Sequence, residues 1–133
     1  MKLFNAIPLF IFIWVLYHLV IIWGSSTILS QEVFQLSLVS ETIWTVTVSD
    51  LLLMAGLIVL YLEILQATLT SMMSVINHTL STLVFVVFIV EFIIIGSSTN
   101  STFFLLSLMS LIDVLAGFTI TIAASRRDIV RND

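Results

Sequence analysis

Five ionisable side chains interrupt apolar stretches of this chain: His18, Asp50, Glu63, Glu91 and Asp113. A carboxylate at hydrocarbon depth costs about 2.5–3.5 kcal/mol on insertion scales, so each acid needs a compensating partner or task. Two chemistries suit them. Acids and a histidine at staggered depths on facing helices can relay protons or pass cations. The same groups, with the acids protonated, can donate hydrogen bonds between helices and do nothing but hold them together.

The elements that must position these groups are helices in a bilayer. The chain is 60% hydrophobic and only 9% charged, whereas soluble domains average about 25% charged residues. A soluble fold so poor in charge would expose aggregating apolar patches. The expected fold is all-α: an integral membrane bundle of four transmembrane helices, about 6–28, 43–66, 80–97 and 102–125, forming one domain over 1–133. The first apolar run exceeds the roughly 7–15 residues of a signal-peptide core and is read as a retained span.

In helix one, Pro8 falls in the first turn, where a missing N–H is harmless. Trp14, His18, Ile21 and Ser25 share one face. The connection Ser30 to Thr42 contains VFQLSLV, apolar enough to lie on a membrane surface but without a clean period. In helix two, Ser49, Gly56 and Glu63 recur at heptad spacing and form a small, polar seam suited to close helix contact. Helix three sets Glu91 on an otherwise aliphatic face with Val84, Val87 and Ile95. Helix four carries Ser107, Ser110, Asp113, Gly117, Thr121 and Ala124 at spacings of three and four, and that stripe should face the seam or His18.

Lys2, Arg126, Arg127 and Arg131 all lie near the two ends, and both long connections lack Lys and Arg. Positive charge therefore places both termini in the cytoplasm, and a bacterial cytoplasmic (inner) membrane suits the chain. At 1.5 Å per residue, His18 and Asp113 fall near the midplane, Glu91 within a few Å of it, and Asp50 roughly 8 Å outside it. The sharp expectation is a polar cluster of His18, Glu91 and Asp113, with Asp50 above it, serving as a proton or ion path or as an interhelical fastening. Glu63 lies lower, where Arg126 and Arg127 can reach it by snorkelling as an ion pair at the cytoplasmic edge.

Other chemistry finds little footing. There is no cysteine, hence no thiolate nucleophile or cysteine-held metal. No phosphate loop, G-x-S-x-G or H-E-x-x-H motif occurs. His78 belongs about 15 Å below His18, too far for both to hold one haem. Trp14 and Tyr17 beside His18 can line a quinone or substrate pocket, or simply pack. Four basic residues make no nucleic-acid surface. The expectation is a non-enzyme without metal or cofactor. Its partners are the lipid bilayer and other membrane subunits or copies of itself. Its expected role is a structural or accessory component, with a small proton- or cation-coupled transporter or channel as the alternative.

Overall fold

The computed structural model describes residues 7–68 and 72–132. Helix α1 covers Phe10–Gly24, α2 Val48–Ala67, α3 Met72–Ile94 and α4 Ser101–Asn132. Three of them contain stretches long and apolar enough to cross a membrane: Val48–Ala67, Val75–Ile94 and Ser101–Ala123. The fourth, α1, is apolar but only 15 residues long, about 22 Å at 1.5 Å per residue.

α1 is shorter than the expected 6–28 because polar residues stop it. The Ser25 N–H caps the Ile21 carbonyl at 2.7 Å, and Ser25 itself sits at φ 62°, outside the helical region. Ser25 and Thr27 then bond to each other at 3.1 Å, and a 3₁₀ turn follows over Ser26–Ser30. Short hydroxyl side chains offer the backbone such alternatives to the helix.

The fold is mostly helical, as expected, with one addition: a hairpin between α1 and α2. Strand β1, Glu32–Ser37, pairs antiparallel with β2, Ile43–Thr47. Leu38 N–H donates to the Thr42 carbonyl and Glu41 N–H to the Leu38 carbonyl, both at 2.9 Å. Glu41 has φ 65°, the left-handed residue that closes a three-residue hairpin loop. That conformation costs a non-glycine residue about 1–2 kcal/mol. Glu41→Gly is therefore expected to stabilise the hairpin by about 1 kcal/mol, read as slower amide exchange at Leu38.

α2 begins at Val48, five residues after the expected start, because Thr47 and Asp50 form a capping box. Thr47 N–H donates to Asp50 Oδ2 at 3.0 Å, and Asp50 N–H to Thr47 Oγ1 at 3.3 Å. Helices three and four begin at or before their expected starts, and α4 continues past its expected end.

α4 is the central helix, with α2 and α3 packed along it and α1 lying against α2 and α3. α2 and α4 run in the same direction. Near their starts the Ser49 and Thr102 hydroxyls bond, in the middle Gly56 meets Leu106 and Met109, and lower down Glu63 meets Asp113. The heptad seam thus lies against α4, as its spacing implies. The apolar core runs through Phe10, Tyr17, Phe88, Phe103 and Leu106, with the Phe10 and Phe88 rings edge to face at 6.4 Å. Outward positions are also apolar, including Ile22, Ile93 and Leu115.

Candidate functional site

The interior polar groups form two layers, each built from several helices. The upper layer centres on Glu91, near the end of α3. Its carboxylate accepts from Trp14 Nε1 at 3.1 Å and from the Ser98 hydroxyl at 2.9 Å. His18 Nε2 lies 2.9 Å from Oε2 and 3.0 Å from Oε1. Trp14 and His18 stand one turn apart on α1, so their rings lie in tilted contact, 4.4 Å between centroids, and reach one acceptor together. Beside them Tyr17 donates to the Ser97 carbonyl at 3.0 Å and accepts from Asn100 Nδ2 at 2.8 Å. Asn100 Oδ1 takes the Phe103 N–H at 2.9 Å, capping α4. The Gly96–Ser98 3₁₀ turn between α3 and α4 is thereby pinned to α1.

The lower layer pairs Glu63 of α2 with Asp113 of α4. Both are almost wholly buried, at 1% and 2% exposure. Glu63 Oε1 accepts the Leu9 N–H at the start of α1, one of the donors a helix start leaves unpaired. Ser81 of α3 lies beside Asp113. Ser81 bonds Asn77 one turn back, and Ser107 and Ser110 lie buried on the same side of α4 as Asp113. The layer thus gathers side chains of α2 and α4 beside the start of α1.

The structure brings His18 and Glu91 together but places Asp113 elsewhere. Ser81 and Glu91 are ten residues apart on α3, so the layers lie about 15 Å apart at 1.5 Å per residue. The physical reason is an axial offset of α1. Its first turn, at Leu9, is level with Asp113, so His18 sits about two and a half turns higher. Asp50 belongs to neither layer, being spent on the capping box. Glu63 turns inward to Asp113; among the described residues Arg126 forms no ion pair with it, and the Arg127 side chain lies outside the described residues.

Sequence reasoning missed four participants: Ser98, Ser81, Asn100 and the Leu9 N–H. Ser98 and Ser81 carried a signal, since each stands at helical spacing from a partner. The Leu9 N–H had none, because only the offset of α1 brings it to Glu63. Trp14 and Tyr17, considered together as pocket residues, line different hollows. Trp14 borders an apolar groove of about 500 Å³ between α1 and α3, with Ile11, Leu83 and Val87. Tyr17 and His18 border a smaller cleft of about 240 Å³ with Ser97 and Ser98. Among the described residues, no group of three or more His, Asp and Glu side chains is placed to hold a metal ion.

Comparison with protein-family models, with curated proteins and with solved structures finds no match for this chain.

Proposed function

We propose that this chain is a non-enzymatic integral membrane component, with both termini in the cytoplasm of a bacterial cell and its interior acids acting as fastenings between helices. Its outward apolar faces meet lipid and a larger membrane complex or further copies of the chain. The observation that carries this reading is how each acid is held. Glu91 is closed over by Trp14, His18 and Ser98, Glu63 takes the Leu9 N–H and lies buried with Asp113, and Asp50 is held by a helix start. Three helices of spanning length and the apolar outer surface support the bilayer setting. Small interior polar residues support association by close packing and hydrogen bonds, which hold helices together in lipid.

Purification in mild detergent tests the reading. The expected result is a species larger than one chain, containing either copies of itself or another membrane protein. A protein that is monomeric at all concentrations and active alone would end it.

The carboxyl pair favours one second reading. Two buried acids from different helices in an apolar interior suit an exchange site for protons or cations. Proteoliposomes decide between the two. The accessory reading expects flux no greater than in empty vesicles. Flux abolished by Asp113→Asn, in a variant that remains folded, would replace it with the transporter reading.

A further inference from the structure

The hairpin is amphipathic, and no sequence element around it accounts for that. Residues paired across antiparallel strands point to the same face. Phe34 pairs with Val46 and Leu36 with Trp44, while Gln35 pairs with Thr45 and Ser37 with Ile43. One face is therefore Phe34, Leu36, Trp44 and Val46; the other is mostly polar. Val46 is buried, but Phe34, Leu36 and Trp44 remain more than two-fifths exposed.

The geometry points to the apolar face of this hairpin lying flat on the bilayer surface, as a lipid-binding element between the first two helices. The inference rests on the membrane reading above.

Three features select lipid as the occupant. The first is continuity. β2 passes into α2 with no intervening residue, and the Val48 N–H bonds the Gln31 carbonyl at 3.0 Å across the hairpin base. Exposed apolar side chains also stand at the adjoining helix ends, at Ile22, Trp23 and Leu51. The second is the backbone. A two-stranded hairpin has two open edges, whose N–H and C=O groups cannot enter hydrocarbon. It is also marginal when standing free in water. The wet interfacial zone satisfies both conditions, and Trp44 suits that depth. The third is charge. Glu32 and Glu41 stand exposed at either end, and the hairpin has no Lys or Arg. Attachment is therefore hydrophobic and should not require anionic lipid.

Site-directed spin labelling tests this, because the chain has no native cysteine. Single cysteines are placed at Phe34, Leu36 and Trp44, and at Gln35, Ser37 and Thr45, in phosphatidylcholine vesicles. Ile93 and Leu115, on the outer faces of α3 and α4, serve as controls. The expected result is inversion between neighbours. Positions 34, 36 and 44 should collide with lipid-soluble oxygen, and 35, 37 and 45 with an aqueous nickel chelate. Added phosphatidylglycerol should leave the pattern unchanged. Equal aqueous access at all six positions would overturn the inference. So would exclusion of both reagents from 34, 36 and 44, which would mean a protein cover, either a second copy or a partner. If Ile93 and Leu115 also lack oxygen contact, the membrane reading itself fails. If they show it while the hairpin does not, only the hairpin inference fails.

Discussion

Glu91→Leu is expected to release α1 from the rest of the bundle. The substitution puts an apolar side chain of similar size in place of the carboxylate and so removes the acceptor shared by Trp14, His18 and Ser98. A buried donor left without a partner costs about 1–3 kcal/mol. The Ser98 hydroxyl is buried and bears the full effect, whereas the His18 side chain is 31% exposed and can recruit water. The expected total is therefore about 2–4 kcal/mol, a large part of the stability of a small domain. Glu91→Gln retains one carbonyl acceptor and should lose much less. Thermal unfolding in detergent measures the difference, and tryptophan emission should report the changed setting of Trp14. Equal stability of Glu91→Leu and the parent would show that the upper layer fastens nothing.

Gly117→Leu should cost a comparable amount by a different cause. A Cβ built at Gly117 lies 2.6 Å from Nδ1 of His78 and 2.8 Å from Cε1 of the same ring. Real Cβ atoms do not come that close, and the His78 ring is buried, with Phe118 beside it at 6.3 Å between centroids. α3 and α4 must then separate or the ring must leave its site. Overpacking of this kind costs about 1–3 kcal/mol. Gly117→Ala should fall between Leu and the parent, since better helix propensity offsets part of the clash. Two comparisons make the cause specific. Gly96→Ala should be nearly neutral, because nothing lies within 4 Å of a Cβ there. Adding His78→Ala to Gly117→Leu should cost less than the sum of the two changes, as expected for residues in direct contact.

Much of this architecture is legible in the residues. Long apolar runs locate three of the helices, and the seven-residue spacing of Ser49, Gly56 and Glu63 identifies the face that meets α4. The hairpin had a readable signal as well. Phe34-Gln35-Leu36-Ser37 and Trp44-Thr45-Val46-Thr47 alternate with a period of two, as half-buried strands do. In so apolar a chain, hydrophobic content outweighs period, and the expected helix two ran back over β2. The Thr47–Asp50 pair, three residues apart, was the sign of the true start.

The grouping of the acids was less accessible. Rise per residue converts position into depth only when the helices share a common level. α1 is set about half a span toward the hairpin, and nothing in its sequence expresses that shift. His18 therefore met Glu91 as expected, while Asp113 met Glu63, which the residues alone assigned to the arginines. The arginines lie well beyond this level. Arg126 follows Asp113 by thirteen residues on α4, about 20 Å at 1.5 Å per residue.

Two polar layers about 15 Å apart, one at Glu91 and one at Glu63 and Asp113, hold the helices independently in this account. Double-mutant cycles on reversible unfolding in mixed micelles test it most directly. Glu63→Gln with Asp113→Asn, and His18→Gln with Glu91→Gln, should each show a coupling of about 0.5–3 kcal/mol. Asp113→Asn combined with either His18→Gln or Glu91→Gln should be additive within about 0.5 kcal/mol. Strong coupling of Asp113 to His18 or Glu91, with none to Glu63, would contradict the account and restore a single connected cluster.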